Sequence, residues 1–204
     1  MRVSEFVVCH DFPCTDVNHA ACTVPCIELD PQLVKIMMVS EAAPGDPADY
    51  FYAGEHALFA RTTLLAFQDA GLQVSTIEDL LAMGIYFTTA VKCGKSGYAI
   101  QSDTVKQCAR LLEQEIELFP QVKVYMLMGD VAIKAVNEIA RRGGERRVIP
   151  AGATYKLRGG EFTFRGQRAL PSYVQAGPSF FIEKSKRRMI AEDIRTALAL
   201  AGIG

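Results

Sequence analysis

Tryptophan is absent from this 204-residue chain, histidine occurs three times, and no apolar run approaches the roughly 20 residues needed to span a bilayer. The longest apolar stretches, such as 122–129, are interrupted within two turns, so no membrane partner is expected. The first residues lack the basic and apolar regions of a secretory signal, which predicts a cytoplasmic protein. The mark of disorder, low hydrophobicity with high net charge, is missing as well. Half of the residues are hydrophobic, 22% are charged, and the formal net charge is −1. No internal repeat and no dividing linker occurs, so the length corresponds to one monomeric α/β-sized domain with a full hydrophobic core. His10, His19 and His56 are too dispersed for a metal or nucleophile motif. Gly94-Lys95-Ser96 lacks the first glycine of a phosphate loop, which excludes that nucleotide site.

Six cysteines are present, four of them (Cys9, Cys14, Cys22, Cys26) within residues 1–32. In a reducing compartment, grouped thiolates hold metal or an iron–sulfur cluster more often than they form disulfides. Neither the Cys9–Cys14 nor the Cys22–Cys26 spacing has the two-residue gap of a zinc ribbon, so spacing alone leaves a bound metal and six unligated cysteines both open. Residues 1–32 show little periodicity and read as a cysteine-rich segment packed on a domain covering 33–204, ordered by something other than a core of their own.

The near-neutral total hides a division. Between residues 134 and 195 lie 14 of the 22 Lys+Arg and only 6 of the 23 Asp+Glu. That asymmetry fits a basic face for a phosphate backbone as well as a set of solvated helix faces.

Hydrophobic patterning predicts strands over 34–39, 85–91, 122–128 and 168–171, a small hairpin over 162–168, and helices over 56–70, 103–119, 131–142 and 183–201. Strands alternating with helices predict a three-layer α/β/α fold around a central, mostly parallel four-stranded sheet. Ligands of such sheets sit outside the carboxyl ends of the strands. The first loop there offers Glu41, Asp46, Asp49 and the triplet Tyr50-Phe51-Tyr52, a carboxylate to orient water and rings to stack on a planar base. The second, from Thr88 to Tyr98, holds Cys93, with Cys108 on the helix that follows.

Taken in order, these pieces resemble the uracil-DNA glycosylase superfamily, and most closely its iron–sulfur, family-four branch. Ser40-Glu41-Ala42-Ala43-Pro44 resembles the family's first motif, Gly-Glu-Ala-Pro-Gly. Tyr52-Ala53-Gly54 stands where the family has Phe-Val-Gly, and Thr88-Thr89-Ala90-Val91-Lys92-Cys93 where it has Thr-Asn-Val-Val-Lys-Cys. Met126-Leu127-Met128-Gly129-Asp130 and Ala169-Leu170-Pro171-Ser172-Tyr173 match the strand end and the lead into the second catalytic motif. Two positions depart from the pattern. The base-reading Asn is Thr89, and the motif His-Pro is Val174-Gln175.

The resemblance implies a DNA glycosylase of base excision repair that hydrolyses the N-glycosidic bond of uracil or another deaminated base. It implies Glu41 and Gln175 as catalytic residues, and Ala42, Phe51, Tyr52 and Thr89 around a flipped base. Ser172, Lys184, Lys186, Arg187 and Arg188 are implied on the DNA, with Phe180 or Phe181 as the wedge that fills the gap. A 4Fe-4S cluster is implied on Cys93 and Cys108 together with Cys22 and Cys26, or with Cys9 and Cys14. Two rivals follow from the departures: a catalytically silent DNA-binding module and a hydrolase of free nucleosides.

Overall fold

The computed structural model describes residues 1–97 and 99–203. Tyr98, which the sequence places in the loop after the second strand, lies outside the described residues.

The apolar runs form the middle of a six-stranded sheet. Its strands are β1 (Val17–Asn18), β2 (Ile36–Ala43), β3 (Ile85–Lys95), β4 (Val124–Met128), β5 (Phe162–Phe164) and β6 (Gln167–Ser172), in the order β1-β3-β2-β4-β6-β5. β3, β2, β4 and β6 run parallel. Every residue of β4 and all but Glu41 of β2 are buried, as a sheet covered on both faces requires.

The expected count of four strands is corrected to six, in a mixed sheet. Both additions are antiparallel edges: β1, from the N-terminal segment, sets Val17 against Lys95, and β5 sets Phe164 against Gln167. The β5–β6 loop consists of Arg165 and Gly166 with φ of 51° and 77°, the positive values that a two-residue type I′ hairpin loop needs at both positions. β3 also outruns its expected end at Val91 and continues to Lys95, because β1 supplies ladder partners for Gly94 and Lys95. Lys92 and Cys93 are therefore strand residues.

The helices are α1 (Leu58–Asp69), α2 (Ile77–Ala82), α3 (Ser102–Glu117), α4 (Asp130–Arg142), α5 (Thr154–Leu157) and α6 (Lys184–Ala201). α2 has no counterpart among the helices that patterning predicts; it starts at a capping box in which the Thr76 hydroxyl accepts from the Asp79 N–H while the Asp79 carboxylate accepts from the Thr76 N–H. α3 and α4 bury Leu112, Ile116, Val136 and Ile139 on one face of the sheet, with Met37, Tyr86 and Leu127. α1, α2 and α6 bury Phe67, Leu80, Ile194 and Leu198 on the other, with Met38, Phe87 and Met126. Full burial of side chains this size stabilises by about 1.5–3 kcal/mol each. No helix among the described residues is long and apolar enough to cross a membrane.

The N-terminal segment does more than wrap the domain. Val3, Val7 and Val17 join the core cluster of the α3–α4 face, so the segment shares the domain's core. Polar ties reinforce them. The Thr23 N–H donates to the Lys92 carbonyl at 2.7 Å, and the Asp16 carboxylate accepts from the Gln101 N–H at 2.7 Å and from the Thr104 hydroxyl.

Candidate active site

A cleft of about 450 Å³ opens at the carboxyl ends of β2 and β6. Ser40, Glu41 and Ala42 line it from β2, Phe59 from the first turn of α1, and Val174 and Gly177 from the segment after β6. Glu41 is the half-buried residue of an otherwise buried strand. Its Oε1 accepts from the Val131 N–H, at the start of α4, at 3.4 Å. Gly129, with φ of 98°, caps that helix, and a Cβ there would stand 2.7 Å from Glu41 Oε1 and 2.5 Å from Val174 Cγ2. Only glycine lets the carboxylate reach the helix start along this path.

Behind the cleft wall lies a row of buried polar groups. The Ser40 hydroxyl donates to Gln175 Oε1 at 3.1 Å, which leaves Gln175 Nε2, fully buried, without a partner among the described residues. Ser40 sits beside Thr89 in the β2–β3 register, and the buried Thr89 hydroxyl is also unpartnered. The Tyr50 hydroxyl lies against those of Thr88 and Thr89 without an aligned hydrogen bond. Burial raises the Tyr50 phenol well above its ordinary pKa, and the charge of Glu115 adds to this, so it remains a neutral donor. Buried unpaired polar atoms cost about 1–3 kcal/mol each, so three in one row mark a surface shaped for something other than stability.

Lys92 holds this row from beneath. Fully buried, its ammonium donates to the Thr88 hydroxyl and the Thr89 carbonyl, both at 2.7 Å, and pairs with Glu115 of α3. Glu115 also accepts from Tyr86 at 2.6 Å and Thr88 at 3.0 Å. A buried ion pair persists only when such additional bonds satisfy both partners.

Several expected contacts fall elsewhere. Phe51 is buried in an aromatic cluster, its ring 5.6 Å from Phe87 and 5.2 Å from Phe59. Tyr52 stacks on Tyr86, and its hydroxyl donates to the Phe87 carbonyl at 3.0 Å and accepts from the Phe87 N–H at 2.9 Å. The ring that lines the cleft is Phe59, which the sequence offers only as one apolar position in a helix. Ser172 does not reach solvent: it is fully buried and donates to Asp193 at 2.5 Å, and Arg158 holds Asp193 at 2.8 Å. Burial raises the Asp193 carboxyl above its usual range despite those two partners. Phe180 is buried beneath the Arg187 guanidinium, 4.7 Å from its ring, while Phe181 and Ile182 are 49% and 77% exposed. Lys186 donates to Glu183 at 2.8 Å, and Arg187 forks onto Asp69 at 2.7–2.9 Å.

Five of the six thiols gather between the N-terminal segment, β3 and α3: Cys22 and Cys14 lie against Cys93 and Cys108, Cys9 is near Cys14, Cys93 and Cys108, and His19 Nδ1 stands 3.5 Å from Cys93 Sγ. The Cys93 thiol beside it brings the Cys22 thiol down to about 7 against the opposing effect of burial, with Lys92 assisting, and Cys93 itself is raised. Burial raises Cys14, which sits against Thr104 and Cys108, and lifts Cys108 to about 11. Cys26 is exposed and takes no part in these contacts. Among the described residues, no three His, Cys, Asp or Glu side chains converge as a site for a metal ion. The gathered thiols are nonetheless the donor chemistry of a four-thiolate group, and they mix the two expected N-terminal pairs: Cys22 of one, and Cys14 and Cys9 of the other, face Cys93 and Cys108, whereas Cys26 does not.

Fold and cleft together define an α/β protein whose cleft, at the carboxyl edge of a parallel sheet, is lined by the carboxylates of Glu41 and Asp49 in front of a row of buried hydrogen-bond donors, Asp49 being engaged by the Leu58 N–H. The chain belongs to the uracil-DNA glycosylase superfamily, whose family model matches residues 28–194, a span that contains every cleft residue named above. It is 30% identical over 128 residues to the type-5 uracil-DNA glycosylase of Thermus thermophilus. That match covers 62% of this chain and 55% of the relative, so the chain spans about half the length of the curated relative.

Proposed function

We propose that this protein is a DNA N-glycosylase that releases uracil or another deaminated base from DNA. The observation that carries the reading is the Glu41 carboxylate, held at the cleft by the start of α4 and backed by the unpaired donors of Gln175 and Thr89. A flipped base enters the cleft between Ala42 and Phe59, with the extrusion offset by stacking and edge contacts. Glu41 orients the attacking water and stabilises the oxocarbenium-like sugar, while Gln175 Nε2, behind the wall at Ser40, donates to the departing base anion once that wall opens to the entering base. A carbonyl at the base edge, the group that deamination introduces, suits the donors of Tyr50 and Thr89. The exposed pair Phe181 and Ile182 takes the wedge role in place of Phe180.

The same reading includes the iron–sulfur branch of the superfamily, with a 4Fe-4S cluster held by Cys14, Cys22, Cys93 and Cys108. When bound, the cluster supplies a structural tie between the N-terminal segment, β3 and α3.

The test is abasic-site formation on oligonucleotides carrying uracil, hypoxanthine, xanthine or an oxidised base. Glu41→Gln is expected to lower base release by about a hundredfold to ten-thousandfold with DNA affinity retained; a variant that cuts as well as the parent sinks the mechanism. One observation favours the silent DNA-binding module: no histidine lines the cleft among the described residues. Salt-dependent DNA binding without release from any substrate decides for it.

A further inference from the structure

The acidic and basic groups of α6 are not distributed evenly. Lys184, Arg188, Ala191 and Arg195 follow one another at intervals of four, three and four residues, which stacks them along one face of the helix. That face, with Arg187 and Asp69 of α1, lines a second open cavity of about 370 Å³. Four cations and one carboxylate line it. The carboxylate is already taken, because Asp69 receives the fork of Arg187. Arg188 reaches only Glu192, at 3.8 Å and on the exposed surface, where such a pair is weak. Lys184 and Arg195 are exposed and have no ionic or hydrogen-bond partner among the described residues. The buried Ala191 leaves the floor between them low.

Position adds to charge. The turn at Pro178–Phe181 leads into α6, and its Pro178 and Ser179 stand on the rim of the Glu41 cleft. From that rim the chain passes through the exposed Phe181 and Ile182 and through Glu183, which is taken by Lys186, to Lys184. The stripe therefore begins beside the cleft and runs away from it. At 1.5 Å per residue, Lys184 to Arg195 spans about 16 Å. The stripe is therefore long enough for its three cations to meet separate phosphates of one strand.

We propose that Lys184, Arg188 and Arg195 form a phosphate-binding track that carries one DNA strand from the cleft along α6. This rests on the reading of the protein as one that acts on DNA. Lys186 and Arg187, engaged by Glu183 and Asp69, orient the helix rather than the DNA. Phosphate contacts release condensed counterions, so each genuine contact contributes about 0.9 to the slope of log affinity against log salt, whatever the base sequence.

The experiment measures binding of the full chain to an undamaged duplex by fluorescence anisotropy between 50 and 200 mM salt. Lys184→Gln, Arg188→Gln and Arg195→Gln are each expected to flatten the slope by about 1, and the triple variant by about 3. Arg141→Gln, which removes the same charge from the far face of the sheet where Arg141 serves Glu138, is expected to leave it unchanged. Parental slopes in all three variants overturn the track. A change at Lys184 alone also overturns it, since contact would then stop at the cleft rim. Abasic-site formation by the parent is scored in parallel: release of a base with unmoved slopes sinks the track alone, and flattened slopes with no release sink the glycosylase reading alone. No DNA binding by the parent sinks both.

Discussion

Thr89 stands where the resembled motif has an asparagine, and its hydroxyl is buried without a partner among the described residues. Replacing it with the near-isosteric Val removes an unsatisfied oxygen, so Thr89→Val is expected to stabilise the fold by about 1 kcal/mol. The same change is expected to lower base release if the hydroxyl meets the base. Thermal melting and abasic-site formation give the two readouts, and a lower melting temperature counts against the unpaired state. Other residues show why motif position does not settle exposure. Ser172 and Phe180 occupy promising places in the sequence, yet one serves Asp193 and the other lies under Arg187. Which side chain of a short polar or aromatic run turns inward depends on partners distant in sequence, such as Asp193 for Ser172. Phe59 is the converse, a helix position that becomes the ring of the cleft.

The β3–α3 pair carries the energetics at the scale of elements. Lys92 and Glu115 lie 23 residues apart and are both fully buried. Lys92→Met leaves the Glu115 charge without its partner, and the expected loss is about 3–5 kcal/mol. Urea unfolding measures it, and a midpoint close to the parent's shows that the pair does not hold the two elements together. Lys92→Met combined with Glu115→Leu is expected to recover the larger part, since no buried charge then remains. The sequence identifies both elements from their apolar spacing. It misjudges where β3 stops, because the ladder partners of Gly94 and Lys95 come from β1, far away in the N-terminal segment.

The whole molecule is closed by its N-terminal segment, which supplies an edge strand, core valines and the thiols that face β3 and α3. If a cluster joins these parts, protein purified without oxygen contains iron and absorbs visible light. Cys14→Ala is expected to lose the iron and Cys26→Ala to keep it, as read by metal analysis. The opposite pattern overturns the ligand assignment, and a parent without iron ends the cluster reading. The sequence marks this segment by its cysteines but hides its core contacts, since Val3, Val7 and Val17 follow no helical or strand period.

Local pattern determined the parallel core of the sheet, the four long helices α1, α3, α4 and α6 that flank it, and the place of Glu41 at a strand end. Apolar periodicity records which face of an element is buried, and strand ends follow from where that pattern breaks. Tertiary structure decided the antiparallel edge that β1 adds and the joining of the expected hairpin to the sheet, the burial of Phe51 and Phe180, the approach of Cys14 to Cys108, and which cations of α6 are left without a partner among the described residues. Most of these depend on partners far along the chain, such as Lys95 for β1, Phe87 for Phe51 and Asp69 for Arg187. A hydrogen bond, ion pair or stacked ring satisfies one group by taking it away from every other use, and that allocation exists only once the chain has folded.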